Sequence, residues 1–201
     1  MQAKIKGEHW SEKIVSTRNL SAPAIGYRKL EGIIDVTPST YNLVSSTEPL
    51  LFQLLKIALF DFWIANEDRT YNNANLLYDV QHENLISIDY GGILNTSTFE
   101  YPLSQLTATD TILYADLFRH LSNGKDKQRI WSYVDELSDY YNESIARCSA
   151  CLDEIKDNIP SEWNVPINII EEKLHQLMSP IWIDGVWKNF IECLNDNLQH
   201  E

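Results

Sequence analysis

Between Asn66 and Gly92 the chain reads NEDRTYNNANLLYDVQHENLISIDYGG, and three side chains in it could do chemistry together. An acid, Asp68, lies on a polar loop; an amide, Asn73, follows five residues later; a second acid, Asp89, ends a short apolar run. Phosphoryl transfer needs parts in this order: a carboxylate that orients the attacking hydroxyl and takes its proton, then an amide and a carboxylate that hold magnesium on nucleotide phosphates. Magnesium prefers hard oxygen ligands in octahedral geometry and usually takes only one or two carboxylates. Asn73 and Asp89 are ligands of that kind.

The elements around these residues must bring them together. Leu76-Leu77-Tyr78 and Leu85-Ile86-Ser87-Ile88 are strand-like runs, and the polar stretch from Asp79 to Asn84 suits a hairpin loop. A hairpin there brings the residues before its first strand beside those after its second, so Asp68, Asn73 and Asp89 can converge. Upstream, Leu50, Leu51, Leu54, Leu55, Ala58, Leu59, Phe62 and Trp63 recur as on one face of an amphipathic helix ending where the polar loop 66–75 begins. A D-R-x-x-x-N string alone is common, and an acid before Tyr-Gly is often a turn former bonded to its own backbone. The ordered set flanking a hairpin is what distinguishes this stretch.

On these residues, FDFWIANEDRTYNNANLL followed by IDYGG, the chain resembles the catalytic lobe of HipA-like kinases, bacterial serine/threonine kinases, and more distantly the phosphoinositide kinases. Ile159 to Trp163 (IPSEW) resembles a segment common in small HipA-like proteins. The resemblance implies ATP and Mg2+ as cofactors, a protein substrate, Asp68 as catalytic base with Arg69 beside it, and Asn73 and Asp89 as the metal and nucleotide-binding pair. It implies a mainly helical fold with a small β-hairpin, a protein-kinase-like C-lobe, its metal motif at 85–92. Two departures stand out. Thr70 replaces the usual histidine after D-R, which questions how the loop backbone is held. The amino-terminal lobe is largely absent: Gly7 and Gly26 form no glycine-rich loop, and Lys4, Lys6, Lys13 and Lys29 sit in no convincing strand. A partner chain is therefore expected to supply or replace that lobe. The alternatives are a pseudokinase or binding module of a toxin-antitoxin-like or regulatory complex, and a phosphotransferase acting on a small molecule.

The remaining chain sets limits. Its 201 residues, 44% hydrophobic, suffice for one core, read as an extended packing segment at 1–45 followed by a helical lobe at 46–201. A formal charge of −13 repels phosphate backbones and anionic lipids, which argues against nucleic-acid and membrane partners and for a basic protein. No apolar run nears the roughly 20 residues of a membrane span, and Met1-Gln2-Ala3-Lys4 opens no signal peptide, so a cytoplasmic location is expected. Cys148 and Cys151 form C-x-x-C, yet they fall in a pattern from Ile130 to Ile155 spaced by three and four, which makes Cys148 a small core residue. Thr109-Asp110 is expected to start a helix before Ile112, and two further helices are expected at about 167–178 and 180–198, the last with Ser179 as N-cap and Pro180 at its first position. Trp163, Trp182 and Trp187 are read as core in preference to a binding groove.

Overall fold

The computed structural model describes residues 31–96, 102–163 and 166–199. The glycines and lysines of the first thirty residues discussed above lie outside these. A three-stranded antiparallel sheet, ordered β1 (Ile33–Asp35), β2 (Leu76–Asp79), β3 (Asn84–Ser87), sits against a helical body. The hairpin β2–β3 pairs Leu77 with Ile86 and Tyr78 with Leu85. The third strand corrects the expectation of a hairpin alone: Ile34 pairs with Tyr78, and Val36, Tyr41 and Val44 are buried in the same core as the helices. Residues 31–45 are thus integral to the fold.

The helix α1 (Glu48–Trp63) is the axis of the body. Thr47 caps it by accepting from the Leu50 amide, and Pro49 sits in its first turn, where no intrahelical donor is needed. Its apolar residues are not confined to one face: Leu50, Leu51, Leu54, Leu55, Ala58, Leu59, Phe62 and Trp63 are all buried. A helix apolar nearly all round must be wrapped by others. After the short turn α2 (Ile93–Thr96), in which Leu94 and Asn95 are left-handed, the wrapping comes from α3 (Asp116–Ser122), α5 (Tyr133–Asp157) and α7 (Pro180–Gln199), and from β3. The remaining two helices, α4 (Lys127–Trp131) and α6 (Ile167–Leu177), complete this body.

Two helix expectations are corrected and a third holds. Thr107 and Asp110 do form a reciprocal cap, but it closes a single 3-10 turn, and the extended Thr111 stops it; the helix starts at Asp116. The long helix expected from Ile130 is broken after Trp131, where the Ser132 hydroxyl bonds back to the Arg129 carbonyl. At the end of the chain, α7 starts as expected, with the Ser179 hydroxyl accepting from the Trp182 amide.

Tryptophans lock the end of α6 and the start of α7 to the end of α1. Trp182 Nε1 donates to the Trp63 carbonyl at 2.8 Å, and Trp63 Nε1 donates to the Leu177 carbonyl at 3.0 Å. Trp187 stacks between Tyr141 and Phe190. These are structural roles for Trp182 and Trp187; the side chain of Trp163 lies outside the described residues. Cys148 packs half-buried against the core, while Cys151, one turn on, is exposed. No described helix is long and apolar enough to cross a membrane.

Candidate active site

The end of α1 fixes where the loop 66–75 starts. Ala65 takes a left-handed conformation (φ 48°), the Asn66 amide donates to the Asp61 carbonyl at 2.9 Å, and the Ala65 amide to the Phe62 carbonyl at 3.4 Å. This paired closure satisfies carbonyls that a helix end would otherwise leave open, usually with glycine in place of Ala65. The Asn66 side chain extends it by donating to Asp61 Oδ1 at 2.8 Å while its own oxygen accepts from the Asp68 amide at 3.3 Å. Asp68 therefore leaves a rigid base.

Within the loop, Asp68 is the centre. Asn73 Nδ2 donates to the Asp68 carboxylate (3.2 Å) and carbonyl (3.0 Å), and Asn75 Nδ2 donates to its other carboxylate oxygen at 2.8 Å. With its nitrogen spent on Asp68, the exposed Asn73 side chain keeps its amide oxygen available to accept from or ligate another group. The Thr70 and Asn73 backbones pair reciprocally, at 3.0 and 3.3 Å. That pairing holds the loop although Thr70 stands in the histidine position.

The second strand of the hairpin brings the other acid. The Ile88 amide donates to the Asn75 carbonyl at 3.0 Å, and beyond the turn the Glu67 amide donates to the Gly92 carbonyl at 3.1 Å, so Asp89 is held against the loop from both sides. Two more backbone bonds, from Leu94 to Ile64 and from Asn95 to Ala65, continue this seam. Asp89 adopts φ 52°, a left-handed conformation that aspartate tolerates better than most residues, and its exposed carboxylate accepts from the Gly91 amide at 3.3 Å. Gly91, Gly92, Glu67 and Asp68 line one shallow pocket of about 290 Å³. Asp68 and Asn73 are thus brought into direct contact, whereas Asp89 does not itself line the pocket and adjoins it through its bond from the Gly91 amide.

Gly92 is where the two segments touch. A Cβ there would stand 2.6 Å from Asp68 Cβ and 2.9 Å from its amide nitrogen, both too close for any real contact. Gly92→Ala must therefore shift backbone, and it is expected to destabilise the fold by about 1–3 kcal/mol, as overpacked sites do. Denaturant unfolding measures this; an unchanged midpoint would show that the loop and the turn are free to separate.

Arg69 belongs to a different layer. The sequence sets it with the catalytic base, but its side chain is fully buried. Nε donates to Asp61 Oδ2 at 2.7 Å, one terminal nitrogen donates to the carbonyls of Ala74 (2.8 Å) and Asn75, the other to the carbonyl of Ile88 (3.3 Å), and the guanidinium lies over the Tyr90 ring. It positions both flanks of the site from beneath and has no route to a substrate. Burial pushes the Asp61 carboxyl up to about 6, against the opposing pull of the Arg69 charge and of hydrogen bonds from Asn66 and Arg69.

Asp61, Asn66, Asn75, Tyr90 and Gly92 escaped the sequence reading. Only Asp61 carried a signal: an acid inside the run ALFDFW, on a helix this apolar, must be buried with a partner.

The HipA-like kinase family model matches residues 20–181, a span that contains the helix α1, the loop, the sheet and the turn at Asp89. Comparison with curated proteins and with solved structures returns no match. With the family model covering well over half of its length, the chain belongs to the HipA-like kinase family.

Proposed function

We propose that this protein is the catalytic lobe of a cytoplasmic, ATP- and Mg2+-dependent kinase that phosphorylates serine or threonine of a protein. The observation that carries the reading is the tie between Asp68 and Asn73 on a loop clamped to the Asp89 turn. The donor set fits magnesium: an amide oxygen and an exposed carboxylate are hard ligands, and two protein ligands leave room for phosphates and water. Asn73 and Asp89 would hold the ion, which when bound neutralises charge on the phosphates. Asp68 receives the proton of the attacking hydroxyl, and its two amide partners keep the carboxylate oriented. Arg69 holds the loop and the turn in register.

Part of the phosphate-holding apparatus is to be found elsewhere. None of the three described strands carries a lysine or a glycine-rich loop. We assign the nucleotide cover to a partner polypeptide. The same observation favours the second reading, a binding module that keeps the fold without transfer.

Calorimetry with ATP separates the two readings. This chain alone is expected to bind ATP weakly and only with Mg2+, since the ion must supply most of the attraction. Tight binding without metal would overturn the assignment of Asn73 and Asp89. No binding with Mg2+, alone or with proteins that copurify from the native host, would favour the binding module.

A further inference from the structure

The face of α1 turned toward α5 carries a groove in two joined parts. The first, about 480 Å³, is lined by Ile57, Phe60, Leu85 and Tyr90, and its rim includes Ser87 and Tyr140. The second, about 280 Å³, is lined by Phe52 and by three acids of α5, Glu136, Asp139 and Glu143. Lys56 and Tyr140 are common to both, so the two parts are continuous. One end therefore combines aromatic and apolar side chains with the polar Gln53, Asn84 and Ser87 and abuts Tyr90, the neighbour of Asp89; the other end is acidic.

The acidic end is short of counter-charge. Glu136, Asp139 and Glu143 are exposed and follow one another at spacings of three and four, on one face of the helix. Glu143 pairs with Arg147 at 3.3 Å, whereas Glu136 and Asp139 make no ion pair among the described residues. Lys56 is the cation within the groove, and its ammonium lies over the rings of Phe52 and Tyr140, 4.8 and 5.5 Å from their centroids.

We propose that this groove docks a segment of the protein substrate that carries two basic residues beside a pair of apolar ones. Charge complementarity selects the occupant: unpaired acids on a chain of charge −13 attract arginine or lysine, and the aromatic half takes apolar side chains. Glu136 and Asp139, the two acids without an ion pair among the described residues, are separated by about 4.5 Å along the helix axis, at 1.5 Å per residue. An extended chain returns a side chain to the same face every two residues, about 6.6 Å, so the two basic residues are two positions apart and their long side chains reach both acids. The apolar half lies next to Tyr90, which directs the docked segment toward the Asp89 turn. This rests on the kinase reading for what is delivered, but not for what the groove holds.

The test uses the full chain and two ten-residue peptides with two arginines two positions apart, either before or after two leucines. Fluorescence anisotropy is expected to show saturable binding of at least one of them. Replacing the arginines by glutamate is expected to abolish binding, and replacing the leucines by serine to weaken it. Glu136→Lys with Asp139→Lys is expected to lower affinity about 10-fold or more, while the remote pair Glu154→Lys with Glu172→Lys changes it much less. Failure of both peptides to bind, equal binding of the glutamate peptide, or equal effects of the two charge reversals would overturn the proposal. Asp89→Asn keeps the kinase reading separate: it is expected to leave peptide binding intact, and peptide binding without any transfer to a serine-containing protein by wild type together with the proteins that copurify from the native host would remove the kinase reading while the docking groove stands.

Discussion

Asp68→Asn is expected to lower phosphoryl transfer by about 10²- to 10⁴-fold, the usual cost of losing a general base, with the protein still folded. The substituted amide has one oxygen where the carboxylate had two, and both of those accept from amides, Asn73 at 3.2 Å and Asn75 at 2.8 Å. One of those bonds must therefore become a donor facing a donor, which loosens the Asn73 or the Asn75 side chain as well as removing the proton acceptor. Asp89→Asn is expected to lose transfer to a similar degree by a different route. It keeps the shape of the turn, since asparagine tolerates φ near 52° as well as aspartate does and can still accept from Gly91. It removes the negative charge at the metal. The two variants are separated by a magnesium titration of the complete kinase: excess Mg2+ should partly restore Asp89→Asn and should not restore Asp68→Asn. Wild-type turnover in the Asp89 variant would make that acid a turn former only, and equal rescue of both would merge the roles assigned to them.

How much of this was legible in the sequence depends on how local each determinant is. The order Asp68, Asn73, Asp89 could be read because these residues lie within 22 positions and flank a hairpin whose strands show in apolar composition. The central helix could be read for the same reason, although its burial on all sides depends on helices far along the chain. The strand Ile33–Asp35 could not be settled locally: three residues gain their pairing from Asp79, Tyr78 and Leu77, more than 40 positions away. The start assigned at Thr109-Asp110 followed a real cap, and what sequence did not reveal was the extended Thr111 that stops the turn. Arg69 was placed with the catalytic group because it adjoins Asp68 in sequence. Its burial is the work of Asp61, Ala74, Asn75 and Ile88, three separate segments that meet only when the sheet docks on α1.

That convergence makes Arg69 the substitution with the largest expected effect on stability. Arg69→Met fills much of the same volume but leaves the Asp61 carboxylate buried without its counter-charge, and it withdraws the donor from three carbonyls on both flanks of the site. Breaking a buried pair from one side typically costs about 3–5 kcal/mol, a large share of the stability of a domain this size. The loss should depend on pH in a definite direction. Asp61 already has a folded-state value near 6, above its unfolded value of 3.8, because burial outweighs the pull of Arg69. Its folded form therefore binds more protons than the unfolded form between those values, and its contribution to stability falls as pH rises through that window. Removing Arg69 takes away the opposing charge and raises the folded value further, so the variant keeps losing stability above pH 6, where wild type has levelled off. Urea unfolding at pH 5 and pH 7.5 should show Arg69→Met further below wild type at the higher pH. Arg69→Lys keeps a charge but cannot reach Asp61, Ala74, Asn75 and Ile88 at once with a single ammonium; it should recover part of the stability and still fail to hold the loop against the Asp89 turn. A pH-independent loss would mean that Asp61 is ionised in the fold with or without its partner, and full recovery by lysine would mean that charge alone, without the guanidinium's fork of donors, positions the site.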